Sequence, residues 1–203
     1  MREFRVHYDE LKEAGVEVAG VSTDTPESSI EWARRMSLLA EIRNEFTIRA
    51  VMRKVNSLLH ESLERHRFVT AFYSVLDIRN RVLIYSNGGH NPPLLRRASG
   101  AFEYLTEGGV ALGVLADSVY ADCPVHLGPG DVIVMFTDGV SEAESPTGEQ
   151  FGILRIEECV TRLVSRSSQE IPEGLVQEVL EWTGERGPND DLTLVVLKTL
   201  SSA

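Results

Sequence analysis

The strongest constraint on the fold is a change of hydrophobic period at Arg67. From Met36 to Leu63, apolar residues recur at helical spacing: Leu38, Leu39, Ile42 and Phe46, then Val51, Val55, Leu58 and Leu59. A break at Thr47 to Ala50 divides this stretch into two helices. After Arg67 the period drops to two, and short apolar runs alternate with turn residues: Phe68 to Leu76, Val82 to Ser86, Pro93 to Arg96, Ala101 to Leu105, Cys123 to Leu127 and Val132 to Phe136. Asp77-Ile78-Arg79-Asn80 reads as a hairpin turn and Leu127-Gly128-Pro129-Gly130-Asp131 as a tight reversal. Helical spacing returns in Ile153 to Val164 and Leu175 to Trp182, joined through Ser165-Arg166-Ser167-Ser168, and Leu192 to Leu197 closes the chain as a strand. Strands gathered between helices predict an α+β fold, with helices packed on mostly antiparallel sheets. Ahead of this region the pattern predicts an amphipathic helix from Phe4 to Ala14, the strand Val16 to Val21, and a helix opening at Asp24-Thr25-Pro26-Glu27.

With 203 residues, 42% of them hydrophobic, the chain can bury one sizeable core without covalent staples. A net charge of −11 repels nucleic acid and anionic membrane surfaces alike. Cys123 and Cys159 are too far apart, with no Cys/His cluster near them, to suggest a disulfide framework or a zinc site. The charged first 25 residues hold no secretory signal, and no apolar run approaches the ~18 residues of a membrane span, so a reducing cytoplasm is expected.

Three places put reactive side chains where a fold would present them. Asp138 follows the apolar run Val132 to Phe136 and precedes Gly139, so it should leave the end of a buried strand beside a permissive backbone. Asp190 and Asp191 stand just before the closing strand. Carboxylates at the ends of central strands suit hard, oxygen-seeking cations, although the same residues also serve as turn and capping groups. The segment Asn87-Gly88-Gly89-His90-Asn91-Pro92-Pro93 is the third place. Its glycine pair permits a tight turn from which His90 either reaches a phosphate or a metal-bound water or caps local backbone. Ser141 has no Gly-x-Ser-x-Gly elbow around it, and the chain has no Gly-rich phosphate loop ending in Lys-Ser/Thr.

Taken in order, several segments resemble one family: Phe68-Val69-Thr70-Ala71-Phe72-Tyr73, Asn87 to Leu94, Leu112-Gly113, Leu127 to Asp131, Phe136-Thr137-Asp138-Gly139-Val140-Ser141-Glu142-Ala143, Gly148-Glu149-Gln150-Phe151-Gly152 and Asp190-Asp191-Leu192-Thr193-Leu194. From Met36 to Leu197 the chain is similar to PPM-type, metal-dependent serine/threonine protein phosphatases of the SpoIIE/RsbU branch. The resemblance implies an antiparallel β-sandwich flanked by helices. It also implies two manganese or magnesium ions and attack of a metal-bridging water on phosphoserine or phosphothreonine. Asp138 and Asp190 would be metal ligands, with Gly139, Asp191, His90 and Asn87 in supporting positions. The substrate implied is a phosphorylated anti-sigma-factor antagonist in partner-switching control of stress or sporulation.

The family's Gly-Gly-Asp-x-x-Asp and Gly-Asp-Val-x-Gly-x-Gly stretches do not occur in this sequence. Residues 1–34 instead resemble an internal piece of a peroxiredoxin, without the upstream cysteine that thiol peroxidase chemistry needs. The expected organisation is therefore a helix-strand-helix segment over residues 1–35, replacing the N-terminal metal-binding strands, and a phosphatase-like domain over 36–203. The missing ligands make a non-catalytic pseudophosphatase that binds its partner the alternative reading. An uncovered sheet edge left by the missing strands would invite a homodimer. Asp24 would approach Asp138 only if the strand Val16 to Val21 fills that edge in register.

Overall fold

The computed structural model describes the backbone of residues 16–22, and residues 47–64 and 66–200. The helices expected over Phe4–Ala14, from Asp24 onward and over Met36–Phe46, and Asp24 itself, lie outside the described residues. Two compact units share the chain. Among the described residues, 16–22, 93–104 and 128–200 belong to one, and 47–64, 66–92 and 105–127 to the other.

The first unit is built on a five-stranded sheet of order β1-β9-β8-β4-β5, antiparallel throughout, made of β1 (Val16–Ser22), β4 (Leu94–Arg96), β5 (Phe102–Tyr104), β8 (Val132–Phe136) and β9 (Thr193–Thr199). β8 is central, and Val132, Ile133 and Val134 in it are fully buried, which explains its unbroken run of β-branched residues. Helices α3 (Gly152–Leu163) and α4 (Glu170–Thr183) bring Ile156, Cys159, Val160, Ile171, Leu175 and Val179 into a common core with β8 and β9. These side chains recur at three- and four-residue intervals, so each helix buries one stripe.

α4 begins earlier than its apolar stripe suggests. The Ser167 hydroxyl accepts from the Glu170 N–H, while the Glu170 carboxylate accepts from the Ser167 N–H at 3.0 Å. This reciprocal capping box starts the helix ahead of its first buried leucine. At the reversal into β8, the Asp131 carboxylate accepts from the Gly128 and Ala98 N–H groups at 2.9 Å and pairs with Arg97 at 2.8 Å.

The strand expected from Val16 to Val21 is present, and it occupies the outer edge of β9. Seven residue pairs run from Val16 opposite Thr199 to Ser22 opposite Thr193. The N-terminal segment thus covers β9, and β1 itself becomes the terminal strand of the sheet.

The second unit carries α1 (Ile48–Ser62) and a four-strand sheet made of β2 (Ala71–Asp77), β3 (Val82–Gly88), β6 (Gly108–Gly109) and β7 (Cys123–His126). β2 and β3 form the expected hairpin, closed by the Asp77 carboxylate accepting from the Asn80 backbone and side-chain N–H groups. Ile48, Met52, Leu112 and Tyr120 make its core. Asn56 of α1, 1% exposed, is fully used: its amide donates to the Leu115 and Ala116 carbonyls, and its oxygen accepts from the Gly113 N–H and the Tyr120 hydroxyl. β6 escaped sequence reasoning because two glycines carry no period. A Cβ at Gly108 would overlap the Asn87 backbone, so only glycine can lie parallel to β3 there.

Candidate active site

The site in the first unit is made where the central strand ends and the last strand begins. Phe136 at the end of β8 pairs with Leu194 near the start of β9, so the residues after β8 and those before β9 emerge side by side. Asp138 opens the short helix α2 (Asp138–Ser141), and Asp190 and Asp191 stand in the loop ahead of β9. All three carboxylates are exposed, whereas Leu192, one residue on, is fully buried and anchors the loop to the core.

Two features set the spacing of these loops. The Thr137 hydroxyl donates to the Asp191 carbonyl and accepts from the Thr193 N–H, both at 3.1 Å, while its own N–H donates to the Thr193 carbonyl. Gly139 lies against the backbone of Asp190 and Asp191 so closely that a Cβ would overlap the Asp191 carbonyl. This glycine is needed for close approach of two chain segments, not for an unusual φ.

Asp138 and Asp190 line one cavity of about 250 Å³ with Glu142, Glu144, Gln150 and Asn189. None of its lining residues is basic, so the cavity concentrates negative charge and attracts cations. One Asp138 oxygen accepts from the Gly139 N–H at 3.0 Å, and one Asp190 oxygen accepts from the Asp191 N–H at 2.8 Å. The donors are all oxygen, which suits magnesium or manganese, and one such ion is commonly held by one or two carboxylates with waters and a phosphate completing the shell. The residues therefore fit one hard cation. For a pair they fall short, because among the described residues no three His, Cys, Asp or Glu side chains converge to hold an ion.

Sequence reasoning singled out Asp138 and Asp190, and the fold brings both to this cavity. Asp191 contributes its backbone oxygen to the junction with Thr137. Glu142 and Glu144 were missed as site residues. The signal was their spacing, since α2 is a single turn and returns Glu142 to the side of Asp138, whose carbonyl accepts from the Glu142 N–H at 2.8 Å. Ser141 is back-bonded to the Asp138 carbonyl at 3.4 Å.

Asn87 and His90 belong to the second unit. Asn87 is 3% exposed and closes the glycine turn. Its amide donates to the His90 and Leu105 carbonyls, and its oxygen accepts from the His90 N–H at 2.8 Å. Among the described residues no helix is long and apolar enough to cross a membrane.

Comparison with solved structures gives the class of fold. The SiaA PP2C domain of Pseudomonas aeruginosa superposes with a TM-score of 0.66 over 95% of this chain and 90% of that one, at 17% identity. The PP2C phosphatase domain of the cell fate determinant SpoIIE from Bacillus subtilis does so with a TM-score of 0.67 over 93% of this chain and 56% of that one, at 19% identity. The fold is that of a PP2C phosphatase domain.

The SpoIIE (Stage II sporulation protein E) family model matches residues 32–200, and the chain belongs to that family. Protein IcfG of Synechocystis sp. is 33% identical over 130 residues, covering 64% of this chain and 20% of its own length. The phosphoserine phosphatase RsbU of Bacillus subtilis is 26% identical over 151 residues, covering 73% of this chain and 44% of its own length. The chain thus spans less than half the length of these curated relatives.

Proposed function

We propose that this chain hydrolyses phosphoserine or phosphothreonine on a regulatory protein of the anti-sigma-factor-antagonist type, in a partner-switching pathway of the cytoplasm. The observation that carries the reading is the convergence of Asp138 and Asp190 on one acidic, solvent-open cavity in a chain of the SpoIIE family. In this reading Asp138 and Asp190 hold a magnesium or manganese ion, and Gly139 and Asp191 keep their two loops in contact. A divalent cation supplies charge neutralisation for phosphoryl oxygens and lowers the pKa of water. The openness of the cavity admits a side chain presented by a protein surface. Residues 1–35 serve as an edge strand and its flanks; the pairing of β1 with β9 and the start of the family match at residue 32 support this.

Phosphate release from a phosphoserine protein should require manganese and be lost in Asp138→Asn. Absence of turnover by the wild type at millimolar manganese would overturn the catalytic reading. The alternative, a pseudophosphatase that only binds its partner, is favoured by one observation, the lack of a third converging ligand among the described residues. It requires partner binding that a chelator leaves unchanged.

A further inference from the structure

We infer that Thr137 is the positioning residue of the carboxylate site: its hydroxyl fixes the loop carrying Asp190 against the turn carrying Asp138. The inference rests on the proposed function only in taking those two carboxylates as the cation's holders.

The argument starts from the backbone. β8 and β9 are paired as far as Phe136 and Leu194, and beyond that point the two chains must part, because α2 coils away from the sheet. Thr137 sits at the fork. Its N–H still reaches the Thr193 carbonyl at 3.1 Å, which is the last step of the ladder. Its hydroxyl adds one more step, accepting from the Thr193 N–H and donating to the Asp191 carbonyl, each at 3.1 Å. One side chain thereby holds both ends of Leu192 and fixes the chain that leads back to Asp190. Gly139 permits the contact from the other side, since its missing Cβ leaves room for the Asp191 carbonyl.

Without the hydroxyl, the Thr193 N–H and the Asp191 carbonyl each lose this one bond, at a half-exposed site. Water can satisfy both, so the fold survives, but water does not hold two loops at one separation. The carboxylates would then have to be brought together each time an ion binds, which weakens binding. Groups that orient ligands in this way typically change metal affinity by about 10–100-fold when removed.

The test measures manganese affinity directly, from the electron paramagnetic resonance signal of free Mn²⁺, on the full chain in four forms: wild type, Thr137→Val, Thr137→Ser and Asp138→Asn. The expected result is a Mn²⁺ Kd raised about 10-fold or more in Thr137→Val, with Thr137→Ser close to wild type because it keeps the hydroxyl. In turnover, the same variant should need more manganese for half-maximal activity while kcat at saturating manganese falls less. Wild-type affinity in Thr137→Val, beside weakened binding in Asp138→Asn, overturns the role of Thr137 alone. Wild-type affinity in Asp138→Asn, or no binding by the wild type, overturns the site itself and the inference with it. If the valine variant folds poorly, Thr137→Ala removes the hydroxyl without adding bulk and is read by the same criteria.

Discussion

Replacing Gly139 by alanine tests the close approach of the two site loops. A Cβ at this position would stand 3.1 Å from the Asp191 carbonyl carbon, 3.4 Å from that of Asp190, and closer still to the Asp191 oxygen. Ordinary carbon contacts lie near ~3.5–4.0 Å, so the Asp190–Asp191 backbone must retreat by about 1 Å. The obstacle is backbone and cannot rotate aside as a side chain would. Overpacking of this kind costs about 1–3 kcal/mol, against which the better helix propensity of alanine returns at most about 1 kcal/mol in the single turn of α2. From the middle of that range the net loss is about 1–2 kcal/mol, and for a chain of this size each kcal/mol corresponds to roughly 2–4 °C, so thermal unfolding should come about 2–8 °C earlier. Function should suffer more, because a displacement near ~1 Å in a reacting geometry costs about 100-fold in rate. Differential scanning calorimetry and manganese-dependent phosphate release on the same preparation separate the two effects. Asp138→Asn is the comparison, since it should lose activity without an equal loss of stability. An alanine variant with wild-type melting temperature and wild-type activity would refute the claim that Gly139 sets the spacing.

Asn56→Ala should destabilise the second unit by about 2–5 kcal/mol, because it strips partners from Gly113, Leu115, Ala116 and Tyr120 at once; urea denaturation measures the loss, and faster hydrogen exchange over residues 113–120 should accompany it. Burial, with the neighbouring Glu178 carboxylate, pushes the Cys159 thiol up to about 12, whereas the unfolded chain ionises near 9.0. The folded state therefore disfavours the thiolate: stability should hold below pH 9, fall as pH rises from there towards 12, and lose that dependence in Cys159→Ala when followed by chemical denaturation. Cys159 should also resist alkylation at pH 8 until the chain unfolds.

Much of the scaffold was legible because its signals are local. The β8 run is apolar at every position from Val132 to Phe136, and the strand lies where the run does. The hairpin Asp77–Asn80 and the reversal at Gly128–Asp131 carry turn chemistry that acts over four residues. The start of α4 is written locally too, in the spacing of Ser167 and Glu170, ahead of the apolar stripe from Leu175 onward. β6 was not legible, because its two glycines pair through a close approach that no periodicity records.

The sequence alone determined the order of the longer elements and the positions of Asp138 and Asp190 at strand ends, since each depends on residues near one another in the chain. Tertiary structure decided what depends on chain segments distant in sequence. It set the seven-pair register of β1 on β9, which makes β1 the terminal strand of the sheet. It brought Asp190 to one cavity with Asp138, Glu142 and Glu144 across some fifty residues of chain. It also converted Thr137, an unremarked neighbour of a carboxylate, into the link between two loops, because a hydroxyl has a partner only once the fold brings Asp191 and Thr193 within 3.1 Å of it.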